Sequence, residues 1–408
     1  MKKLLVLTGR YYPKASPNSI CVKQVIDALR EKGWETTVIC YDDGLKEEGE
    51  ERVYRVSRGA VQSAIYKKEE GKTRSARVRL KLLGLLRNIK QLPFILSWPW
   101  TDPAVTKRTL RLAERLYAKE RFDAVVAVHM PISNVIVGHK LKERHPELGL
   151  YPYFLDALIG GYLPRVMSRA AYERKALKWE KKLLANADKA VFMEANREHH
   201  ERVFEGDPLK ERFVYLDIPL FTARERADKT RPGTDIVYVG TLAPGMRSPE
   251  FFLKVFGKAA GPDWRLTFVG DAGCAAVNSA AARDERIRCV GRISHEEALD
   301  YERGADILLN LGNRNPNLTP SKVFEYAGFG AKIVSTYSSD DDRSLAALAK
   351  YPAALMLDER ETDITAAAER LRAFAEAEAE KIPIGELESR FYANTPDAFA
   401  KLLTEDEA

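Results

Sequence analysis

The chain of 408 residues has few cysteines and no long apolar run. No CxxC pair occurs among its four cysteines, which are Cys21, Cys40, Cys274 and Cys289. Isolated cysteines of this kind are typical of reduced thiols in or near the core of a cytoplasmic protein. No run of about 18 apolar residues is present, so no membrane-spanning helix is predicted. The apolar start at residues 4–7 ends at Thr8, which indicates a first buried strand rather than a signal peptide.

Several signatures of functional sites are also missing. The six histidines have no metal-ligand spacing, so no metal site is predicted. No G-x-G-x-x-G sequence opens a helix after a strand, which disfavours a dinucleotide-dependent dehydrogenase. The net charge is +6, and residues 67–120 hold fourteen Lys and Arg against five Asp and Glu. No helix-turn-helix, zinc-finger or aromatic RNA-binding motif accompanies this basic region, so no nucleic-acid partner is predicted.

The sequence does contain a regular alternation of strand and helix patterns, which is the signature of α/β layers. A chain of this length exceeds one ordinary core, and the pattern closes near residue 219 and restarts at Asp235. We therefore predict a domain at residues 1–220 and another at 221–387, with a charged linker within 222–234. The expected strands are residues 4–7, 36–40, 122–129, 190–193, 235–239, 265–269, 287–290 and 307–311. The expected helices are residues 20–32, 168–186, 251–256, 295–303, 364–380 and 391–403.

Residues 316–336 carry the most informative pattern, which is a polar loop, a short apolar helix, glycines that end it, and a strand. Ser321 occupies the N-cap position, and Lys322 and Glu325 share one face of the first helical turn. A helix start carries partial positive charge, so an added ammonium suits it to a diphosphate. The carboxylate can accept two sugar hydroxyls, and the pattern therefore suits a nucleotide diphosphate. A surface helix with a solvated lysine and glutamate is the alternative.

This segment resembles the donor-site helix of family 4 retaining glycosyltransferases, which have the GT-B fold. The second half of the chain resembles that family over residues 235–340. Its landmarks come in the family's order: strand turns at Gly240 and Gly270, the turn Gly291-Arg292-Ile293, and the strand before the donor loop.

The first half resembles the family more loosely. Tyr11-Tyr12-Pro13 stands where the family has a glycine-rich loop, with Pro17-Asn18-Ser19 in place of the paired glycines. Glycine best permits a close approach of backbone N–H groups to phosphate. His129, at a predicted strand end, resembles a histidine that lies near the transferred sugar in the family.

The resemblance implies an α/β protein of the GT-B fold, with two Rossmann-like domains facing across a cleft and a helix at residues 388–408 packing back on the first domain. It implies an enzyme that moves a hexosyl-type sugar from a nucleotide-diphosphate sugar, with UDP or GDP as the nucleotide. Transfer would proceed with retention to a glycan or lipid-linked acceptor, in cell-surface polysaccharide or glycolipid biosynthesis. No cofactor and no metal is expected, and the expected location is the cytoplasm, including the inner face of the cell membrane.

The same resemblance implies roles for individual residues. Lys322 and Arg247 would stabilise the charge that grows on the leaving diphosphate, and His129 would lie near the transferred sugar. Glu325 would bind the ribose hydroxyls. The other donor-binding residues that it implies are Ser321, Gly240, Gly270, Gly291, Arg292, Ile293, Leu318 and Thr319. A core or solvated histidine and an exposed arginine are the alternatives for His129 and Arg247.

One position departs from the family's pattern. Many members carry two glutamates eight positions apart, but the residue eight positions before Glu325 is Asn317. An asparagine can bond a sugar hydroxyl, yet it adds no negative charge to balance a developing oxocarbenium ion. Either backbone amides around residues 314–318 hold the sugar or the activity is altered. A non-catalytic GT-B protein that binds a nucleotide sugar or a partner enzyme is therefore the alternative function.

Two further segments allow more than one interpretation. Residues 72–100 combine an amphipathic cationic pattern with Trp98 and Trp100, which is compatible with peripheral contact with an anionic membrane. A packed helix with lysines that reach to solvent is the alternative there. Asp340-Asp341-Asp342 has the form of a DxD metal motif, but we interpret it as a turn and a helix start.

Overall fold

The computed structural model describes residues 1–13, 16–44, 52–59, 82, 84, 101–158, 168–229, 231–242, 247–270, 274–313, 321–378 and 382–405. The chain divides into two compact units, Met1–Asp217 with Pro396–Ala408 and Ile218–Thr395. Each unit has its own parallel sheet, so the predicted α/β class is confirmed. Within the described ranges, no helix combines the length and the apolar character that crossing a membrane requires.

The first unit has a seven-stranded parallel sheet in the order β3-β2-β1-β4-β5-β6-β7. Its strands are β1 (Lys3–Leu7), β2 (Glu35–Tyr41), β3 (Val53–Val56), β4 (Ala124–His129), β5 (Gly149–Phe154), β6 (Ala190–Met193) and β7 (Phe213–Leu216). Its helices before residue 217 are α1 (Pro17–Glu31), α2 (Pro103–Glu120), α3 (Ile132–Arg144), α4 (Arg169–Leu184) and α5 (Arg197–Val203). The chain thus starts in the middle of the sheet and later reverses direction across it, as doubly wound folds do.

The second unit has a six-stranded parallel sheet in the order β10-β9-β8-β11-β12-β13. Its strands are β8 (Asp235–Gly240), β9 (Arg265–Gly270), β10 (Ile287–Val290), β11 (Ile307–Leu311), β12 (Lys332–Tyr337) and β13 (Ala354–Asp358). Its helices are α6 (Glu250–Ala259), α7 (Ala275–Ala281), α8 (His295–Gly304), α9 (Lys322–Gly328), α10 (Arg343–Leu348), α11 (Ile364–Glu376) and α12 (Ile384–Arg390). The strand order reverses between β8 and β11, and ligands of such sheets bind outside the carboxyl ends of the strands.

The central strands are apolar because helices cover both faces of each sheet. All six residues of β4 and all five residues of β11 are buried. This burial produces the near-continuous apolar runs that made the strands visible in the sequence. None of the four cysteines forms a disulfide bond, and Cys21 and Cys40 are buried.

The first helix begins earlier than predicted. The helix predicted at residues 20–32 instead starts at Pro17. Ser16 accepts a hydrogen bond from the Ser19 backbone N–H, and the Ser19 hydroxyl accepts one from the Ser16 N–H, which forms a capping box. Proline suits the first helical position because its missing N–H needs no partner there. Pro17, Asn18 and Ser19 therefore form the first helical turn instead of replacing loop glycines.

The expected linker at residues 222–234 is part of the second unit. Its backbone pairs with that unit, since the Arg224 N–H donates to the Gly328 carbonyl and the Ala227 N–H donates to the Arg303 carbonyl, both at a donor–acceptor distance of about 3 Å. Arg226 also donates to the Ala305 carbonyl. The charged residues that suggested a linker thus anchor the segment.

The chain terminus differs from the single helix expected at residues 391–403. A short 3-10 turn, Tyr392–Asn394, is followed by Thr395 in an extended conformation. The helix α13 (Pro396–Glu405) starts at Pro396, and a proline disfavours a helical conformation in the residue before it. In the first unit α13 packs on α1, where Lys32 pairs with Asp397 at 2.6 Å. Residues 388–395, which we had placed with the first domain, belong to the second unit. There Phe391 stacks on Phe221 with 5.4 Å between ring centroids.

Two other expectations concern surface helices. The helix expected at residues 364–380 as a solvated element is α11, which buries Ala367, Ala368 and Leu371 against the core that includes α6. The segment 72–100, for which membrane contact was predicted, lies outside the described residues except for positions 82 and 84.

Candidate functional site

The carboxyl ends of the second sheet bring several predicted site residues to one edge. Gly240 and Gly270 end the paired strands β8 and β9 with φ values of 156° and 128°. A Cβ atom added at Gly270 would lie 2.5 Å from the Gly240 carbonyl oxygen. Such a contact is far inside van der Waals distance, so close packing of the two strand ends already requires glycine at position 270.

Lys322 is the first residue of α9, which follows β11 along the chain. Its ammonium lies 2.7 Å from Oε2 of Glu325 and 2.7 Å from Oε1 of Glu302. The Lys322 side chain is 24% exposed, whereas those of Glu302 and Glu325 are 0% and 4% exposed. The alternative of a solvated Lys–Glu pair on a surface helix is therefore wrong, because both carboxylates are buried.

Glu302 is a site residue that the sequence analysis missed. It lies near the end of α8, which is the helix predicted at residues 295–303. Its carboxylate connects α8 to α9 by an ion pair with Lys322. Its Oε2 atom is buried and has no hydrogen-bond partner among the described residues. In sequence, Glu302 stands in a run of charged residues that looks like a solvated helix face, so no local signal marks it.

Burial and charge act in opposite directions on these three groups. Burial raises the pKa of Glu302 to about 7, and the nearby Glu325 adds to this while Lys322 opposes it. Burial also acts to raise the pKa of Glu325, but Lys322 and His295 outweigh it and hold that pKa below its ordinary value. Burial alone would lower the pKa of Lys322, yet the two carboxylates raise it. At neutral pH Lys322 and Glu325 are therefore charged, and Glu302 is close to its midpoint.

Two more basic side chains surround the carboxylates. His295, the first residue of α8, has Nε2 at 3.7 Å from Oε1 of Glu325. Burial lowers the pKa of His295, so its imidazole is neutral at pH 7. Arg224 acts electrostatically on both Glu302 and Glu325, and its guanidinium lies 5.9 Å from the ring centroid of Phe329. Neither residue was predicted for the site.

Arg247 lies at the same strand end as Gly240. Its Nη1 would be 3.7 Å from a Cβ atom placed on Gly240, and its side chain is half-buried, so the alternative of a fully exposed arginine is wrong. Burial raises the pKa of Tyr238, and both Arg247 and Lys322 act to lower it. The two cations that were predicted to face a diphosphate thus both act on the same tyrosine.

The remaining predicted donor residues divide into three groups. Gly291, Arg292 and Ile293 follow β10, with Arg292 exposed and Ile293 packed on the unit's core. Ser321 occupies the N-cap position of α9, as predicted, but it has helical backbone angles and its side chain makes no capping hydrogen bond. Asn317, Leu318 and Thr319 lie outside the described residues.

His129 belongs to the first unit, where it ends β4. The side chain is buried, and burial lowers its pKa to about 4, so the imidazole is neutral at pH 7. Its ring lies 5.3 Å from that of Phe154. Nδ1 is buried without a hydrogen-bond partner in the described part of the chain. His129 is therefore a buried residue of the first unit whose Nδ1 atom, at the end of β4, makes no hydrogen bond with the described residues.

Two of the three consecutive aspartates have partners for their side chains. Asp342 is the N-cap of α10 and accepts from the Ser344 backbone N–H, which confirms the predicted helix start. Asp340 pairs with Arg360 at 2.6 Å. Among the residues that the structure describes, no group of three or more His, Cys, Asp or Glu is placed to hold a metal ion.

Known proteins resemble this chain in fold. No protein-family model matches the sequence, and no curated protein matches it. Solved structures match over the whole chain. They include the apo form of the lipopolysaccharide outer core galactosyltransferase WaaB, with a TM-score of 0.53, 11% identity and 100% of both chains covered. A glycosyltransferase from Rickettsia africae ESF-5 has a TM-score of 0.59 and 12% identity, with 99% of this chain and 97% of that chain covered. The UDP-GlcNAc 2-epimerase from Methanocaldococcus jannaschii has a TM-score of 0.53 and 11% identity, with 99% of both chains covered.

These identities establish the fold alone. Two parallel α/β sheets of seven and six strands match the GT-B glycosyltransferase structures, so the predicted GT-B fold is confirmed. The same comparison includes an epimerase, and the activity must therefore be argued from the site.

Proposed function

We propose that this protein is a retaining glycosyltransferase of the family 4 type, which moves a sugar from a nucleotide-diphosphate sugar to a glycan or lipid-linked acceptor. The observation that carries the proposal is the contact of Lys322 with a buried Glu325 at the start of the helix that follows β11. A cation suits a diphosphate, and a carboxylate held ionised suits a pair of ribose hydroxyls. The names of the WaaB and Rickettsia structures, both glycosyltransferases, agree with this choice.

In the proposed reaction the bond between the anomeric carbon and the diphosphate oxygen breaks, and the diphosphate leaves with the bonding electrons. The acceptor hydroxyl oxygen forms the new bond to the anomeric carbon on the same face of the sugar, and its proton passes to the leaving diphosphate. Lys322 and Arg247 stabilise the negative charge that develops on it. Glu325 accepts hydrogen bonds from the ribose hydroxyls and so fixes the nucleotide. Asn317 contributes the amide that stands in place of the family's glutamate. No metal takes part, because these cations perform that role.

We further propose UDP or GDP as the nucleotide and surface polysaccharide or glycolipid as the product. The protein would work in the cytoplasm, and residues 72–100 would provide contact with the inner face of an anionic membrane. The acceptor would then be presented at that surface. The alternative is a non-catalytic GT-B protein that binds a nucleotide sugar or a partner enzyme.

The melting temperature with UDP, GDP, ADP and CMP tests the donor site. A nucleotide at 100 times its dissociation constant stabilises the folded state by about 2.7 kcal/mol, or roughly 5–10 °C for a unit of this size. We expect this rise with UDP or GDP and its loss in Glu325→Ala, because removing a charged hydrogen bond costs about 1.5–3 kcal/mol. Glu285→Ala, at an exposed position of the same unit, is the matched control and should keep the rise.

Each other outcome has a definite meaning. No rise with any nucleotide would favour the partner-binding alternative. A rise that Glu325→Ala retains would place the nucleotide away from Lys322. Incubation with the corresponding nucleotide sugar then separates the activities, since transfer releases free nucleotide diphosphate while epimerisation returns an isomeric nucleotide sugar.

A further inference from the structure

The ammonium of Lys322 is already surrounded by negative charge. Glu302 and Glu325 each approach it to 2.7 Å, and both are buried. Two carboxylates at this distance more than neutralise one ammonium, so Lys322 in this state attracts a diphosphate only weakly. If Lys322 binds the donor diphosphate, one of the two carboxylates must lose its charge or move away.

The other groups that face the carboxylates are few. Arg224 adds one positive charge, and His295 is neutral at pH 7. The Tyr326 hydroxyl is neutral as well, because burial raises its pKa well above the ordinary value, and it bonds the backbone of Val239. With both glutamates ionised the cluster of Lys322, Arg224, Glu302 and Glu325 is therefore neutral, and with one of them protonated it carries a charge of +1.

Glu302 is better placed than Glu325 to accept the proton. Glu325 also has a buried oxygen without a hydrogen-bond partner among the described residues, Oε1, but Nε2 of His295 lies 3.7 Å from it and the Lys322 ammonium helps to hold the pKa of Glu325 low. Glu302 has no exposed side-chain surface, and its Oε2 has no partner among the described residues. An ionised oxygen without a partner is costly to bury, and a proton on that oxygen removes the charge. The protonated carboxyl still accepts from Lys322 through Oε1.

We propose that Glu302 takes up one proton when a nucleotide sugar binds at Lys322, and that this releases the Lys322 ammonium to pair with the donor diphosphate. The inference rests on the proposed function of this site. The proton comes from solvent to Oε2 of Glu302 and returns to solvent when the nucleotide leaves. Glu302 is thus a positioning residue, which acts on the substrate through Lys322.

Calorimetric titration of the full chain tests the proposal. UDP-glucose and GDP-mannose are the probes, because a sugar-substituted diphosphate has no titrating proton near neutral pH. Titration at about pH 8 in buffers of different ionisation enthalpy gives the number of protons taken up. We expect about one proton for the wild type and none for Glu302→Gln, which is uncharged at every pH. Glu296→Gln makes the same change at an exposed position of α8 and should keep the proton uptake.

The affinity gives a second readout. Wild-type affinity should fall about tenfold per pH unit above about pH 7, because the proton must then be taken from an increasingly alkaline solution. Glu302→Gln should bind with little pH dependence and more tightly than the wild type at about pH 8.5. A residue that only holds α8 against α9 would change affinity equally at every pH.

The outcomes separate this inference from the proposed function. If the wild type binds a probe without taking up a proton, the inference is wrong and the donor site stands; this result does not depend on whether Glu302→Gln folds. If proton uptake persists in Glu302→Gln, another group such as His295 takes the proton and the inference is again wrong. If neither probe binds the wild type, the proposed donor site fails and the inference fails with it.

Discussion

At the scale of single residues, Gly270 shows a residue type that the packing of the fold requires. Gly270 ends β9 at a φ of 128°, and a Cβ atom there would lie 2.5 Å from the backbone oxygen of Gly240. The requirement for glycine arises from two strand ends that meet, so it is a requirement of the fold. Gly270 resembles a glycine of the family's donor-binding turn, but the packing of the two strand ends is enough to explain why glycine is needed there.

Replacing Gly270 with alanine should destabilise the second unit by about 2–4 kcal/mol, since it adds backbone strain to a clash with main-chain atoms. Thermal or urea unfolding measures the loss. Gly257→Ala is the matched control, because a Cβ atom there meets nothing within 4 Å and the residue lies inside α6. That control should be neutral or stabilising by up to about 1 kcal/mol. Equal stability of the two variants would contradict the close approach at Gly270.

Lys322, Glu325 and Glu302 show what the sequence can and cannot predict at this scale. The spacing of Lys322 and Glu325 predicted that they share a helical face, and the structure brings them into contact. Glu302 reaches the same ammonium from 20 positions away in the chain. Its contact with Lys322 depends on how α8 packs on α9. The spacing of residues within α8 does not predict that packing. Arg224 was missed for the same reason, since it lies in a segment that looked like a linker.

At the scale of elements, hydrophobic pattern predicted the buried strands well, and capping chemistry determined where helices begin. Strands β6, β10 and β11 have the predicted bounds. In β6 all four residues are apolar and buried, and the polar residues Lys189 and Glu194 flank the strand. The start of α1 was wrong because the apolar spacing begins only after the first turn, whereas Ser16 and Pro17 set the true start. The last helix was wrong for a similar reason at Pro396.

The Ser16 cap of α1 provides a test at this scale. Ser16→Ala should cost about 1 kcal/mol of stability in the first unit, because the Ser19 backbone N–H loses its acceptor. Ser16→Asp keeps a side-chain acceptor and should stay close to the wild type. Urea unfolding of both variants gives the difference. If the alanine variant is as stable as the aspartate variant, the capping box does not stabilise the start of α1.

At the scale of the whole molecule, the two units carry buried titratable groups whose effects on stability have opposite signs. In the first unit, burial lowers the pKa of His129 from 6.5 to about 4. The unfolded chain therefore binds more protons than the folded one in this range, and the stability of the first unit falls as the pH drops below about 6.5. In the second unit, burial raises the pKa of Glu302 from 4.5 to about 7. Its contribution to stability is present at about pH 4.5 and is lost as the pH rises through about 7.

These opposite signs predict that two single substitutions change the pH dependence of stability in different units, with opposite slopes over nearly the same pH range. His129→Gln should remove up to about 3.5 kcal/mol of the acid-side loss of stability, given about 1.4 kcal/mol per pKa unit, and amide hydrogen exchange in β4 reports it. Glu302→Gln should remove the loss of stability of the second unit between about pH 4.5 and 7, and exchange in β11 reports that change. Each variant is the control for the other, since a residue in one unit should leave the pH dependence of the other unit unchanged. If both variants alter β4 and β11 alike, the pH response belongs to the molecule as a whole, and the assignment of these two groups is wrong.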